Sequence, residues 1–366
     1  MYKTAAEINL SCLKANMRAV KARCRNIKIC AALKADAYGH GAVRLAVMLE
    51  KEKLADYFGV ANIEEGAELR KAGIKTPVLL FSLINTEEID EALANRLTIT
   101  VCDHKFIELI NRQAEKFKLK TPVHIKTDTG MGRIGCTPEA VPSLAQKCLE
   151  SENILLEGLY THFPEADIPD SDFTREQIRI FTGIIKTLAA HNIRIPVKHT
   201  ANSGAILNFP ESYFDMVRPG IMFYGYNPSP QIIHSAEITP AMSLKSEIIF
   251  LKKLTMAAAI SYGRTYTGTA GSYIATIPAG YADGINRLLS GNHHVKINGK
   301  YYPVAGRICM DQFMVDLGND FYPVGTPVYI FDNSGNSAAH VARRIQTIPY
   351  EVLCAISKRV KRIYQD

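Results

Sequence analysis

Lys34 is the residue of this sequence whose surroundings most favour covalent chemistry. It follows an apolar run at residues 27–33 and precedes a glycine-containing turn, Ala35-Asp36-Ala37-Tyr38-Gly39. An amine held among apolar groups has a lowered pKa and can form a Schiff base with an aldehyde. A lysine at a strand end is also a common surface residue. Lys34 alone therefore does not distinguish a reactive amine from an ordinary surface side chain.

Polar and ionisable residues follow most of the later apolar runs as well. In chain order they are Asn62, the segment 128–133, His162, Asn202 with Ser203, and Arg218 with Gly220 and Ile221. In barrels of alternating strands and helices, catalytic groups collect in the loops after the strands. The pattern therefore predicts an active site formed by these strand ends.

Eight apolar runs alternate with amphipathic patterns between residues 27 and 220. The runs are 27–33, 57–61, 77–81, 97–102, 123–127, 155–161, 197–200 and 214–218, and helices are predicted at 13–23, 42–50, 64–71, 104–117, 140–150 and 173–191. This alternation predicts an α/β fold with a parallel (β/α)₈ barrel. An open doubly wound sheet is the alternative. It usually has fewer strands, and the Gly-x-Gly-x-x-Gly of dinucleotide-binding folds does not follow the first run.

The pattern changes to short strands and turns after residue 241. Strands are predicted at 244–251, 272–277, 294–297, 300–305, 313–317 and 327–331, with turn signals such as Asn298-Gly299 between them. We therefore predict a barrel domain over residues 1–235 and a C-terminal, mostly β domain over residues 236–366.

The loops after the seventh and eighth runs are glycine-rich. They contain Ser203-Gly204 and Gly220-Ile221, and in such barrels these two loops often bind a phosphate group through N–H groups and hydroxyls. A helix cap and an ordinary turn would explain each loop on its own. Together with an amine at Lys34, they point to a phosphorylated aldehyde cofactor, pyridoxal 5′-phosphate (PLP).

Seven ordered motifs resemble those of the alanine racemases, PLP enzymes with a barrel fold. Three of them are Ala32-Leu33-Lys34-Ala35-Asp36-Ala37-Tyr38-Gly39-His40-Gly41, Lys126-Thr127-Asp128-Thr129-Gly130-Met131-Gly132-Arg133-Ile134-Gly135 and Ile260-Ser261-Tyr262-Gly263-Arg264. The other four are Tyr160-Thr161-His162-Phe163, Asn202-Ser203-Gly204-Ala205, Val217-Arg218-Pro219-Gly220 and Gly306-Arg307-Ile308-Cys309-Met310-Asp311. The resemblance runs through nearly the whole chain.

The resemblance implies a role for each matched residue. Lys34 would carry PLP and serve as one of two bases, and Tyr262 would be the second base, reaching the active site of a partner subunit. Arg218 would face the pyridine nitrogen, with His162 behind it. The cofactor would also be bound by Tyr38, Asn202, Ser203, Gly220, Ile221 and Tyr350, and the substrate by Arg133, Tyr281, Met310 and Asp311. An access corridor would include Asp167, Tyr281, Arg287, Arg307 and Ile348, and Lys126 is carbamylated in many members.

Composition is that of an ordinary globular protein, with 47% apolar and 22% charged residues. No apolar stretch reaches the length of a membrane span, and the N-terminus has no apolar signal core. The eight cysteines are scattered, without a Cys-x-x-Cys pair, which suits a reducing cytoplasm. The net charge is +7, and the basic residues are spread along the chain apart from one dense basic run at residues 358–362. We therefore expect neither a membrane nor a nucleic-acid partner.

Three other functions are compatible with a PLP-binding barrel. A serine racemase of the same family would need more room beside Tyr350, and the membrane-linked members have a smaller polar residue there and an N-terminal membrane part. A non-enzymatic PLP carrier would lack the β domain and a counterpart of Tyr262. A decarboxylase of the same fold type usually has a carboxylate where this chain has Arg218. The resemblance thus favours a cytoplasmic, homodimeric alanine racemase that supplies D-alanine for peptidoglycan.

Overall fold

The computed structural model describes residues 3–232 and 236–366, which form two compact units. We call Lys14–Ala37 and Ala42–Ile238 the barrel unit. The described residues of Met1–Leu13, Tyr38–Gly41 and Thr239–Asp366 are the β unit. The predicted boundary at residues 235 and 236 adjoins residues 233–235, which lie outside the described residues.

Nine strands are found within residues 3–219. They are β1 (Ala5–Asn9), β2 (Lys28–Ala32), β3 (Tyr57–Val60), β4 (Val78–Leu80), β5 (Ile99–Val101), β6 (Thr121–Lys126), β7 (Ile154–Tyr160), β8 (Val197–His199) and β9 (Met216–Val217). Strands β2 to β9 coincide with the eight apolar runs, and their ladders are parallel, in the orders β4-β3-β2-β9 and β5-β6-β7-β8.

Two sets of backbone contacts join these sheets into a ring. A parallel bridge pairs Leu79 with Thr98, between β4 and β5. On the other side, the Asp215 N–H donates to Lys198 O and the Arg218 N–H to Ala201 O, both at 2.9 Å. The predicted (β/α)₈ barrel is therefore confirmed, and the carboxyl ends of its strands share one rim.

Helices occupy the connections between these strands. They are α1 (Leu10–Cys24), α2 (Lys34–Tyr38), α3 (Ala42–Lys51), α4 (Ile63–Lys71), α5 (Ile89–Ala94), α6 (His104–Phe117), α7 (Val141–Glu150), α8 (Asp172–Ala190) and α9 (Ser203–Asn208). Helix α6 illustrates the pattern, because Phe106, Ile107, Ile110 and Ala114 are buried at helical spacing. The helix begins where the Asp103 side chain accepts the Phe106 N–H. Helices α2, α5 and α9 were not predicted.

The β unit contains most of the antiparallel structure. Its strands after β1 are β10 (Met242–Glu247), β11 (Phe250–Lys253), β12 (Ala258–Ile260), β13 (Tyr266–Gly268), β14 (Tyr273–Ile277), β15 (His294–Ile297), β16 (Lys300–Pro303), β17 (Phe313–Asp316), β18 (Pro327–Phe331) and β19 (Lys361–Gln365). A six-stranded sheet has the order β16-β15-β18-β10-β1-β19, a three-stranded sheet the order β11-β14-β17, and β12 pairs with β13. Two helices follow β18, α10 (Ala338–Arg344) and α11 (Pro349–Cys354). The expected β-rich C-terminal region is thus confirmed.

One predicted strand, 244–251, is wrong, because the chain changes sheets within it. The Ile248 N–H donates to Thr326 O and the Ile249 N–H to Thr276 O, both at 3.0 Å. The first bond is made beside the six-stranded sheet and the second beside the three-stranded sheet. Apolar residues continue through this change of partners, so the sequence pattern shows one run. Strands β1, β12, β13 and β19 were not predicted.

Candidate active site

Lys34 follows β2 on a backbone whose conformation is unusual. Residues 35–38 all have φ between 51° and 53°, so α2 is a left-handed turn. Such a conformation costs about 1–3 kcal/mol for each non-glycine residue and persists only where neighbours hold it. The Ala35 N–H donates to Glu65 Oε1 and the Ala42 N–H to Asp36 Oδ1, both at 2.7 Å. The half-buried Lys34 is therefore positioned by strained and tightly held backbone, as is common at active sites.

Ser203 connects the loops after β8 and β9. Its hydroxyl accepts the Gly220 N–H at 2.9 Å, and α9 begins at Ser203, capped by the Asn202 side chain. At Gly204 a Cβ would lie 2.7 Å from the backbone of Ala166, so a larger residue would push these segments apart. The predicted phosphate-binding residues Asn202, Ser203, Gly220 and the buried Ile221 are thus neighbours in the barrel unit.

Arg218 is a buried cation surrounded by neutral acceptors. Its guanidinium donates to Thr161 O at 2.8 Å and to Thr200 O at 2.9 Å. It also lies 2.9 Å from His199 Nδ1 and 3.4 Å from His162 Nδ1. Burial lowers the pKa of Arg218 to about 10, which still keeps it protonated at neutral pH. Arg218 can therefore donate hydrogen bonds but has no lone pair to accept one.

His162 lies where several positive charges act together. Burial lowers the pKa of His162 well below its ordinary value, and the charges of Arg218, Lys126, Arg133 and Lys34 lower it further. All of these residues belong to the barrel unit. The imidazole is consequently neutral, and the surrounding field favours anionic ligands.

Lys126 ends β6 with a buried side chain, and its Nζ has no hydrogen-bond partner among the described residues. The ammonium lies 4.6 Å from the centre of the Tyr160 ring. Burial, with the charges of Arg218 and Arg133, lowers the pKa of Lys126 well below its ordinary value. Lys126 is therefore a buried amine that loses its proton more readily than a free lysine.

Arg133 lies in the loop after β6, and its side chain is exposed. Asp128 organises this loop, because its carboxylate accepts the N–H groups of Gly130, Met131 and Gly132 at 2.8–2.9 Å. The positive φ values at Gly130 and Gly132 explain the glycines of this motif. The turn leaves the guanidinium of Arg133 accessible to a ligand carboxylate.

Tyr38 and Tyr350 belong to the β unit and are neighbours there. Their ring centres lie 5.8 Å apart with a tilt of 41°, and Tyr350 stands in the first turn of α11. At Gly39 a Cβ would lie 2.4 Å from Leu353 O, so the chain after Tyr38 passes close to the end of α11. The two predicted phosphate-binding tyrosines are thus brought together.

Tyr262 stands on a strained loop that exposes it. Its side chain is 70% exposed, and φ is 66° at Ser261 and 70° at Gly263. Ser261 Oγ donates to Arg307 O at 2.6 Å, and the Arg307 guanidinium packs against Gly263. This arrangement presents the phenol of Tyr262 on the surface of the β unit.

The other predicted β-unit residues are exposed as well. Met310, Tyr281 and Ile348 have exposed side chains, as does Arg287. Asp311 accepts a 2.9 Å hydrogen bond from Arg359, and the same guanidinium binds the buried carboxylate of Asp283. The fully buried Asp283 thereby fixes Arg359 and, through it, Asp311.

Apart from His162, sequence reasoning did not identify the side chains behind Arg218. His199 and His124 are fully buried in β8 and β6, and Glu157 contacts His124. A histidine inside an otherwise apolar strand was the available signal, but only tertiary structure shows that the two imidazoles meet. Nor did it identify Asp283 and Arg359.

Two classes of site are not found within residues 3–232 and 236–366. No group of three His, Cys, Asp or Glu side chains there is arranged to hold a metal ion. None of the helices in these segments is long and apolar enough to cross a bilayer.

Two family models match the chain, one for each region. A model described as "Alanine racemase, N-terminal domain" matches residues 8–228, and "Alanine racemase, C-terminal domain" matches residues 241–364. The alanine racemase of Treponema denticola is 42% identical over 377 aligned residues, which cover 100% of this chain and 99% of the relative.

Solved structures agree with these matches. An alanine racemase of Clostridium difficile 630 superposes with a TM-score of 0.96 at 41% identity, covering 100% of this chain and 96% of that one. The alanine racemase of Bacillus anthracis with bound L-Ala-P gives a TM-score of 0.93 at 33% identity, with the same coverage. The similarity thus extends over both units.

Proposed function

The chain belongs to the alanine racemase family and is an isomerase acting on an amino acid; from this premise we propose that it interconverts L- and D-alanine with PLP and two bases, Lys34 and Tyr262. One observation supports this proposal most strongly. Four positively charged side chains act on His162 and lower its pKa, namely those of Arg218, Lys126, Arg133 and Lys34. A cofactor phosphate and a substrate carboxylate are the anions that such a field would attract.

The barrel unit fits PLP by the chemistry of its donors. Lys34 provides an amine, Ser203 a hydroxyl beside the Gly220 N–H, and Arg218 a buried guanidinium. We assign the phosphate to Asn202, Ser203, Gly220 and Ile221, and from the resemblance alone also to Tyr38 and Tyr350. When bound, PLP would stabilise negative charge on the substrate α-carbon.

Arg218 would control how strongly that charge is withdrawn. An arginine at the pyridine nitrogen donates a hydrogen bond but keeps its proton, because even its lowered pKa of about 10 is far above that of a pyridine. The ring would therefore stay neutral, which favours return of the proton to the α-carbon over side reactions. His162 would hold the guanidinium from behind through the 3.4 Å contact.

Racemisation requires proton removal on one face of the α-carbon and proton return on the other. Lys34 would act on one face and Tyr262 on the opposite face. Tyr262 is 70% exposed on the single chain, which supports its use in the active site of a second copy. Met310, Asp311 and Tyr281 would line the same substrate path, and a homodimer would then contain two shared sites.

Lys126 would carry a carbamate in the active enzyme. Carbamylation by CO₂ needs an uncharged amine and releases a proton, and the lowered pKa of Lys126 increases the fraction of that uncharged form. The new carboxylate would neutralise part of the surrounding positive charge and orient Arg133 as a fork-shaped donor for the alanine carboxylate.

Mixing two inactive variants tests the shared site directly. Lys34→Ala removes the amine and Tyr262→Phe removes the phenolic oxygen, so each homodimer should lose racemisation of L-alanine. In a heterodimer of the two, one site keeps both Lys34 and Tyr262. Random reassociation of equal amounts should therefore restore about one quarter of the wild-type sites.

The control for this experiment is the double variant mixed with wild type, in which no heterodimer site holds both residues. Full activity and an unchanged visible absorption band in Lys34→Ala would refute the role of Lys34. Failure of the mixed variants to recover activity, despite heterodimers detected by mass, would refute the shared site.

Alanine rather than serine is proposed as the substrate, because Tyr350 packs beside Tyr38 and fills space that a larger polar side chain would need. A comparison of kcat/KM for L-alanine and L-serine tests this, and a clear preference for serine would overturn it. Supply of D-alanine for peptidoglycan in the cytoplasm is proposed from the same family membership.

A further inference from the structure

A continuous chain of polar side chains crosses the interior of the barrel unit. Arg218 Nη1 lies 2.9 Å from His199 Nδ1, and His199 Nε2 lies 2.9 Å from His124 Nδ1. His124 Nε2 in turn lies 3.1 Å from Glu157 Oε2. Arg218 directly follows β9, and the other three residues lie in β8, β6 and β7. We call the set Arg218, His199, His124 and Glu157 the relay.

The donor at one end and the acceptor at the other together select a single order of protons in the relay. Arg218 can only donate, so His199 Nδ1 accepts. A neutral imidazole carries a single proton, so His199 donates from Nε2 and His124 Nδ1 accepts. His124 therefore donates from Nε2, and only an acceptor can follow it. The carboxylate of Glu157 meets that requirement.

The backbone is shaped to bring Glu157 to this position. The β6–β7 ladder pairs Val123 with Leu156 and then His124 with Gly158, so Glu157 is the extra residue of a bulge. Bulges re-aim side chains and are common next to active sites. At Gly158 a Cβ would lie 2.3 Å from His124 Nδ1, so the imidazole fits only because that residue is glycine.

The groups around the relay keep Glu157 anionic and both imidazoles neutral. Burial alone would raise the pKa of Glu157, but hydrogen bonds from His124 and Tyr57 and the charge of Lys28 lower it. Burial lowers the pKa of both histidines, and the charge of Arg218 lowers both further. Lys126 acts on His199 in the same direction. At His124 the hydrogen bond and charge of Glu157 raise the pKa, but the net shift is still downward.

We propose that Glu157 is a positioning residue for racemisation: it terminates the relay, fixes the tautomers of His124 and His199, and thereby holds the guanidinium of Arg218 in place. This inference rests on the proposed function of Arg218. Glu157 touches neither substrate nor cofactor, and its effect passes through two imidazoles. Glutamine should substitute for it in part, because an amide oxygen also accepts a hydrogen bond.

The test measures tautomers in cofactor-free protein as well as activity. Imidazole ¹⁵N spectra of wild type should show Nε2–H and unprotonated Nδ1 at both His124 and His199, assigned with His124→Gln and His199→Gln. In Glu157→Leu the terminal N–H loses its acceptor, so these two imidazoles should lose the single tautomer. Glu157→Gln should retain it, and Glu152→Gln, an exposed glutamate near the start of β7, serves as the matched control.

Kinetics of the holoenzyme provide the second readout. Glu157→Leu should lower kcat for L-alanine about 10-fold, as residues coupled through one hydrogen-bond network do, while KM stays within about twofold. Glu157→Gln should recover most of kcat, and Glu152→Gln should match wild type.

Three results would overturn the inference. The first is a proton on Nδ1 of either imidazole in wild type, which remains measurable even if Glu157→Leu fails to fold. The second is a Glu157→Leu protein with unchanged tautomers and kcat. The third is loss of the single tautomer in Glu157→Gln, since its acceptor is retained. An inactive wild type with the expected tautomers would instead refute the proposed function and leave the relay intact.

Discussion

The two units present their predicted functional residues in opposite ways. In the barrel unit, Lys126 and Arg218 are 2% and 6% exposed, and their pKa values are lowered mainly by burial. In the β unit, Tyr262 and Met310 are 70% and 53% exposed. Lys126 and Arg218 therefore lie in a largely dry interior, whereas Tyr262 and Met310 would be buried only by another surface. Substitutions in the two units should accordingly differ in their consequences.

Tyr262→Phe should have the largest effect on activity and almost none on folding. Loss of a general acid–base group costs roughly 10²- to 10⁴-fold in rate, while an exposed hydroxyl contributes little to stability. Proton exchange at the α-carbon should fall more for L-alanine than for D-alanine, because Lys34 still acts on the other face. Exchange in D₂O measures this, with Tyr301→Phe, also exposed in the β unit, as the control. Equal loss for both enantiomers would contradict the two-base assignment.

Arg218→Leu should unfold the barrel unit more easily. The substitution leaves Thr161 O, Thr200 O and His199 Nδ1 buried without their donor, and breaking a buried charged network typically costs about 3–5 kcal/mol. Urea unfolding of the cofactor-free protein measures the loss. Arg179→Leu, an exposed arginine on α8, should leave the midpoint unchanged. Equal midpoints for the two variants would show that the relay adds nothing to stability.

Lys126 should make stability rise with pH in bicarbonate-free buffer. Its pKa is lower in the folded state than its ordinary value of 10.5, so the unfolded chain binds more protons between those two values. The free energy of unfolding should then increase by up to about 1.4 kcal/mol per pH unit over that window.

Lys126→Met removes the contribution of Lys126 to this pH dependence. The difference between the wild-type and variant slopes of unfolding free energy against pH therefore measures that contribution. Added ¹³C-bicarbonate should remove the slope difference and produce a carbamate carbon signal. A slope of opposite sign would mean that a partner stabilises the charged ammonium of Lys126.

Labelling of cysteine thiols should show the same contrast between the buried groups of the barrel unit and the exposed groups of the β unit. Partial labelling should not change the activity. Burial raises the pKa of Cys30 and Cys148 to about 12, so neither should react at pH 8 in native protein. Cys354 in the β unit is exposed and should react first. Mass mapping of the labelled peptides checks this, and early labelling of Cys30 would indicate that the barrel opens readily.

The sequence predicted the barrel better than the β unit, for a physical reason. Each barrel strand is buried on both faces, so it reads as a short apolar run bounded by a polar end. Strands of the β unit share that pattern less clearly, and the run at 244–251 joins two strands that belong to different sheets. The strands β1 and β19 pair in parallel although they lie at opposite ends of the chain, which no local pattern reveals.

The sequence by itself singled out Lys34, by its place after an apolar run, and the resemblance of ordered motifs added roles for Arg133, Arg218 and Tyr262, which remain predictions. Which groups lie behind them was decided by tertiary structure. His199, His124 and Glu157 come from three strands and a bulge, and only the folded barrel joins them to Arg218. Residue chemistry therefore determined which reaction the chain can perform. Packing in three dimensions decided how Arg218 and Lys126 are charged and held.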